Sequence, residues 1–195
     1  MRIGILGAPG VGKSKLARAI GKKHEITVVD GYIQRLQKQT DLALGAWSSY
    51  SEHFMVAGHR LAAEAKVGDD KRITVTTIID TITYAAVKSD VTMGKGPDHA
   101  RAVYLSAQGA MQGLSLIYSE TWDYDIVFWL PYSDVQRREK SGTWELALDS
   151  AYPAVLESFE VPYAYAVEGS HSDRFNFINE TIEMIKNADQ TPETD

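Results

Sequence analysis

The stretch Gly7-Ala8-Pro9-Gly10-Val11-Gly12-Lys13-Ser14 limits what this chain can fold into more than any other. It follows a short apolar run, Ile3-Gly4-Ile5-Leu6, and leads into an amphipathic segment from Lys15 to Lys23. The order is strand, glycine-rich loop, helix, with the spacing G-x-x-x-x-G-K-[ST] intact. Glycines let successive backbone N–H groups turn inward around phosphate oxygens. A helix beginning near Gly12 adds its unpaired N–H groups and the positive end of its dipole. Lys13 is placed to reach β- and γ-phosphates, and the Ser14 hydroxyl to take one position on Mg²⁺. Gly7 through Lys15 are therefore the candidate nucleotide-binding residues, and the ligand expected there is a nucleoside triphosphate.

A chain of 195 residues suits one domain, with a central sheet covered on both faces. The hydrophobic share of 44% and the charged share of 24% are ordinary for a globular protein. The absence of cysteine excludes disulfides, thiolate zinc sites and cysteine nucleophiles, and is compatible with a reducing cytoplasm. No apolar run approaches the ~20 residues of a membrane span, and Met1-Arg2 enters the first strand directly, so neither membrane nor export signal is expected. The formal net charge of −6 counts mildly against a protein that grips long nucleic acid. Lys22-Lys23, Arg35 with Lys38, Lys71-Arg72 and Arg137-Arg138-Lys140 read as small solvated clusters.

Taken in order, Arg2 to Leu6 reads as a buried strand, followed by a helix with Leu16, Ala17 and Ile20 inward. Glu25 to Val29 is a second strand ending at Asp30-Gly31. Ser51 to about Lys66 is a helix with Phe54, Leu61, Ala62 and Ala65 on one side, and His53 and His59 facing solvent. Ile73 to Ile79 reads as a third strand ending at Asp80-Thr81, with a short helix from Tyr84 to Lys88 behind it. Asp98 opens a long helix to about Tyr118, and Asp125 to Leu130 is a fourth, doubly covered strand. Glu145 to Phe159 is helical until Pro153 interrupts it; Tyr163 to Val167 is the fifth strand. A last helix from Ser172 buries Phe175, Ile178, Ile182 and Ile185, and residues 187–195 read as a disordered tail. Five strands separated by helices imply an α/β, three-layer sandwich with a mainly parallel sheet. Ligands then sit beyond the carboxyl ends of the strands. Residues 1–186 form a single domain on this reading.

That rule brings Gly7 to Ser14, Asp30, Asp80 and the charged segment 132–142 to one rim. Phosphoryl transfer needs metal and cationic groups on the γ-phosphate, and a residue that orients or deprotonates the nucleophile. Asp30 is a candidate to accept a proton from a substrate hydroxyl, the alternative being a turn aspartate before Gly31. Asp80 is a candidate to hold Mg²⁺ through water or to contact the acceptor, with Thr81 assisting; helix capping is the alternative. Arg137 and Arg138 can swing over the triphosphate and spread the transition-state charge, or simply form a salt-bridged surface helix. Arg35 can anchor an acceptor phosphate.

Asp30 after the second strand, Asp80-Thr81 after the third, and a basic loop after Asp125-Ile126-Val127-Phe128-Trp129-Leu130 together resemble small P-loop kinases. The resemblance is to ribosylnicotinamide-kinase-type and phage polynucleotide-kinase-type domains, with nucleoside and nucleoside-monophosphate kinases. It implies a sheet order of 2-3-1-4-5, ATP and Mg²⁺ as cofactors, the carboxylate after the second strand as base, and lid arginines from a lid at about 132–145. It implies cytoplasmic action, in a host cytoplasm if the chain is viral, and admits a homodimer. An Asp-Arg pair of the thymidylate-kinase kind, an N-K-x-D motif and a long zinc-type lid are not found.

Residues 40–66 occupy the region where that group builds its acceptor pocket, and they hold Trp47, Tyr50, His53, Phe54 and His59. Phe54 and Trp129 are expected in the core, and Trp122 and Trp144 near the lid. The leading reading is a kinase acting on a nucleoside-type small molecule, with DNA as a variant acceptor through a 5′-hydroxyl or a hydroxymethyl pyrimidine. The competing reading is a nucleotide-binding ATPase or assembly module with no acceptor.

Overall fold

Ile3, Ile5 and Leu6 have no exposed surface, as a strand covered on both faces requires. In the computed structural model this strand, β1 (Arg2–Leu6), is the middle of a five-stranded sheet ordered β2-β3-β1-β4-β5. The others are β2 (Thr27–Val29), β3 (Arg72–Val75), β4 (Ile126–Trp129) and β5 (Ala164–Ala166), and every pairing is parallel. The structure describes residues 1–40, 50–68, 71–92, 109, 113, 124–132, 143–158 and 164–188. Within them the helices are α1 (Lys13–His24), α2 (Tyr32–Gln39), α3 (Tyr50–Val67), α4 (Ile78–Thr92), α5 (Thr143–Ser158) and α6 (His171–Ala188). Register sets Ile5 beside Val75 and Phe128, so the chain leaves β1, β3 and β4 at one level. The phosphate-loop candidate, the β3–α4 turn and the end of β4 thereby share a rim. Helix α1 packs with α6, and α4 with both α3 and α5. The expected fold class and strand order both hold.

Several local expectations do not. The third strand stops at Val75, and α4 begins at Ile78, so Asp80 lies in a helical first turn and not at a strand tip. The run Ile73-Thr-Val-Thr-Thr-Ile-Ile reads as strand throughout because it is β-branched. Thr76 breaks it with a φ of 62°, and Thr77 Oγ1 accepts the Ile79 N–H at 3.2 Å, which starts the helix. Helix α5 runs through Pro153, which sits on its exposed side. Leu148, Tyr152 and Val155 are buried on the inner side, and their packing holds both halves in line despite the lost N–H. Helix α3 is turned relative to the apolar stripe. Its buried face is His53, Val56, Ala57, Arg60 and Glu64, while Phe54 is 36% exposed. Arg60 Nη1 donates to Glu64 Oε1 at 3.1 Å and to the Tyr124 hydroxyl at 2.9 Å, so an internal ion pair lets charged residues face inward. Trp129 is half-buried against the core. Asn187 and Ala188 belong to α6 and not to a tail. The expected helix from Asp98, Trp47, Trp122 and residues 189–195 lie outside the described residues, apart from Gly109 and Gly113.

His24 closes the far end of α1 against α6. Its side chain is 1% exposed, with Nε2 3.0 Å from Asn179 Oδ1 and Nδ1 2.9 Å from Lys186 Nζ. Burial, and then the Lys186 charge, push its pKa below the usual imidazole value. Nδ1 also lies 3.1 Å from Glu183 Oε1, whose charge and the Asn179 contact oppose that shift without reversing it. A depressed folded pKa means the unfolded chain binds the proton first, so stability is lost as pH falls through the ordinary histidine range. The unfolding midpoint should drop from about pH 7.5 to about pH 5.5 more in the native chain than in His24→Gln. Equal drops in the two chains would contradict this assignment.

Candidate active site

The loop from Gly7 to Ser14 leaves β1 with Gly7 at φ 143°. A Cβ there would lie 2.6 Å from the Leu130 carbonyl oxygen, so the strand end of β4 presses on the loop where only glycine fits. Gly12, at φ 95°, opens α1 and offers no capping side chain, which leaves the first N–H groups of the helix to an anion. Lys13 is 8% exposed. Its Nζ donates to the Gly7 carbonyl and, at 3.1 Å, to the Ala8 carbonyl, and lies 4.0 Å from Asp80 Oδ1. Burial pulls its pKa down, against the charges of Asp80 and Asp30. Pro9 is held from the β4 side, where the Tyr132 hydroxyl donates to its carbonyl and Asp149 Oδ1 accepts the Tyr132 N–H at 3.0 Å.

Asp80 lies beneath this loop with no exposed surface. Its Oδ1 accepts the Gly7 N–H at 3.0 Å and the Tyr152 hydroxyl at 2.7 Å. Its Oδ2 accepts the Thr77 N–H at 2.6 Å and the Thr77 hydroxyl at 3.2 Å. A carboxylate presents about four lone-pair positions, and here protein donors face all of them. Burial raises its pKa, with Lys13, Tyr152, Gly7 and Thr77 acting in the opposite sense. The sequence put Asp80 on the rim as a metal or acceptor contact; the fold puts it under the rim, bonded to the loop itself.

Asp30 follows β2 and stands beside the start of α1. Its Oδ1 accepts from Ser14 Oγ at 3.2 Å and from the Gly31 N–H at 2.7 Å, and Arg18 donates to its Oδ2 at 2.9 Å. Arg18 was not singled out in the sequence, although its position four residues after Ser14 puts both on one helix face. The Ser14 hydroxyl and Asp30 carboxylate are hard oxygen donors of the kind Mg²⁺ takes. Among the described residues no group of three or more His, Asp or Glu could hold a metal. The pair fits a Mg²⁺ ion whose other ligands are phosphate oxygens and water.

A cleft of about 490 Å³ opens beside Ser14. Pro9, Gly10, Gly12, Lys13, Ser14 and Lys15 form its phosphate-loop wall. Opposite stand Ile33 and Gln37 from α2, with His53 and Val56 from α3. Thr76, Thr81, Tyr84 and Trp144 close it, and the last two rings meet edge-on with centroids 5.3 Å apart. The volume lies in the range of small-molecule sites, and an apolar lining with a few polar groups is their usual character. Three sequence expectations change here. His53 is buried at the cleft and not solvent-facing, while His59 is exposed. Arg35 lies on the exposed side of α2, and its neighbours Ile33 and Gln37 line the cleft. Thr81 reaches the cleft although the adjacent Asp80 does not. Arg137 and Arg138 lie outside the described residues, as does the side chain of Tyr50.

A second recess, about 250 Å³, lies on the other side of the loop between Val11, Lys15 and Leu16 and the start of α6. Arg174 forms part of it, donating to the Val11 carbonyl at 3.1 Å and the Pro131 carbonyl at 2.6 Å. Gly12 and Lys15 line both recesses, so the phosphate loop separates them. None of the cleft's aromatic wall, nor Arg174, was legible as functional. Each belongs to a different helix, and only the sheet brings them together.

No protein-family model matches the chain, and no curated protein matches it in sequence. Solved structures do match its fold. The NadR protein in complex with NR superposes with a TM-score of 0.69 at 11% identity, over 94% of this chain and 48% of that one. The chain thus spans about half the length of that relative. A deoxyadenosine kinase from M. mycoides with bound dCTP gives 0.61 at 14% identity, over 94% of this chain and 100% of the other. The YorR protein of Bacillus subtilis, in complex with phosphorylated GDP, gives 0.52 at 12% identity, over 96% and 98% of the two chains. At these identities the likeness is one of fold, the P-loop kinase fold.

Proposed function

We propose that this chain, with residues 1–186 as one domain, is a P-loop kinase that moves the γ-phosphate of ATP to a hydroxyl or phosphate oxygen of a nucleoside-type acceptor. The observation that carries the reading is that one cleft has the phosphate loop as one wall and an aliphatic and aromatic surface as the other. A simple ATPase needs the first wall and has no use for the second. In this scheme the loop N–H groups and Lys13 hold the triphosphate. Ser14 stands where Mg²⁺ would bind, and that ion would neutralise phosphate charge.

The acceptor oxygen attacks the γ-phosphorus, the bond to the β–γ bridging oxygen breaks, and ADP leaves. When the acceptor is a hydroxyl, its proton passes to Asp30, the carboxylate that accepts from Ser14 on the cleft wall. Ile33, Val56, Tyr84 and Trp144 would flank a flat heterocycle, with Gln37, His53 and Thr81 as polar contacts. The recess beside Arg174 would take the donor base. Arg137 and Arg138 are assigned to transition-state charge on sequence grounds alone.

The test is incubation with labelled ATP and a panel of nucleosides, nucleoside monophosphates, 5′-hydroxyl oligonucleotides and hydroxymethylated DNA. Label should move to a free nucleoside or nucleotide, with an acceptor KM that changes little with salt. Transfer to DNA with a steep loss of activity on adding salt would instead mark a polynucleotide acceptor. Slow ATP hydrolysis with no labelled acceptor would overturn the kinase reading.

A further inference from the structure

Asp80 carries an arrangement that the proposed reaction does not use directly. Four elements converge on one carboxylate: the phosphate loop through Gly7, α1 through Lys13, the β3–α4 turn through Thr77, and α5 through Tyr152. Tyr152 comes from farthest along the chain. It sits in the middle of α5 with no exposed surface, and its ring stacks on Trp129 with centroids 6.1 Å apart. Its hydroxyl reaches Oδ1, the oxygen that also takes the Gly7 N–H and faces Lys13.

A carboxylate with one donor fewer can rotate about its χ2 bond, which is a soft torsion. Rotation would carry Oδ1 away from both Gly7 and Lys13. The Leu6–Gly7 peptide is held on its carbonyl side by the Leu130 N–H at 2.9 Å and on its N–H side by Asp80. The Lys13 ammonium, buried among carbonyls, has Asp80 as its nearest opposite charge among the ion pairs of the described residues. Tyr152 therefore bears on Lys13, which lines the cleft, and on Gly7, where the loop is anchored, without itself lining either recess.

We propose that Tyr152 is a positioning residue: its hydroxyl holds Asp80 Oδ1 in the orientation that anchors the start of the loop at Gly7 and places Lys13 for phosphate. The inference rests on the kinase reading only in that it takes the loop to bind a nucleotide. It needs no acceptor.

The experiment is calorimetric titration of the full chain with Mg²⁺ and a non-hydrolysable ATP analogue, beside the amide NMR resonance of Gly7. Tyr152→Phe removes one oxygen and keeps the packed ring. It should weaken the analogue about tenfold, since hydrogen bonds to charged groups are the strong ones. The Gly7 amide, bonded to a carboxylate in the native chain, should shift in the unliganded variant. Leu148→Ala, a pure packing loss on the same helix, should lower Tm at least as far, yet leave the Gly7 resonance in place and affinity within about twofold.

Asp80→Asn is the second variant, and it tests the carboxylate itself. It should also weaken the analogue, and combining the two should cost no more than the larger single loss. Unchanged affinity in either variant, or additive losses in the pair, would overturn the proposal. A native chain that binds no analogue would overturn the kinase reading and this inference together. A native chain that binds, with a Tyr152→Phe chain that binds equally well, would overturn the inference alone.

Discussion

Lys13→Ala should abolish phosphoryl transfer, by at least about 10³-fold in kcat/KM, or about 4 kcal/mol of transition-state stabilisation. The magnitude follows from where the ammonium sits. It is buried among the Gly7 and Ala8 carbonyls at the wall of the cleft, where solvent screens little. The same variant also removes the charge 4.0 Å from the buried Asp80 carboxylate. Breaking one half of a buried pair is destabilising, so Tm should fall as well. The assay is transfer from labelled ATP at a temperature where circular dichroism shows the variant folded. A rate within tenfold of the native chain would remove Lys13, and with it the phosphate loop, from the chemistry.

Asp30→Asn should lower kcat by about 10²–10⁴-fold while changing nucleotide affinity only a few-fold, the signature of a lost general base. Asparagine keeps one oxygen for Ser14 and Gly31, so the local shape survives. Its amide turns a donor toward Arg18, which is exposed and free to swing into solvent. The contact to Ser14 gives the variant a second diagnosis. If Asp30 acts mainly on the metal, raising Mg²⁺ should restore much of the rate; if it takes the proton, Mg²⁺ should do little. Equal losses in kcat and affinity would assign Asp30 to binding instead.

The two carboxylates show how far sequence could go. Asp30 and Asp80 look alike on paper, each an aspartate following a β-rich run. The fold separates them by a turn. After β2 the chain opens into Gly31, leaving Asp30 beside Ser14, which lines the cleft. After β3 the left-handed Thr76 folds the chain into α4, and Asp80 drops under the loop. Propensity could not see this, because β-branched threonine and isoleucine favour a strand, and only packing in the core holds them in a helix end. The face of α3 was misread for a related reason. Its inner residues include Arg60 and Glu64, and apolar periodicity is blind to charges that neutralise one another inside.

The candidate phosphate loop, the strand on which it hangs and the α/β class were legible in the amino-acid sequence. These are encoded locally, in glycine spacing and in unbroken apolar runs, and local signals survive without knowledge of the rest of the chain. Tertiary structure alone decided that Ile33, His53, Tyr84 and Trp144 share a cleft with Lys13, and that Tyr152 reaches beneath it. Those residues come from α2, α3, α4 and α5, and a parallel sheet ordered β2-β3-β1-β4-β5 makes neighbours of segments far apart in the chain. No window of residues contains that information, because the sheet's register and crossovers create the proximity.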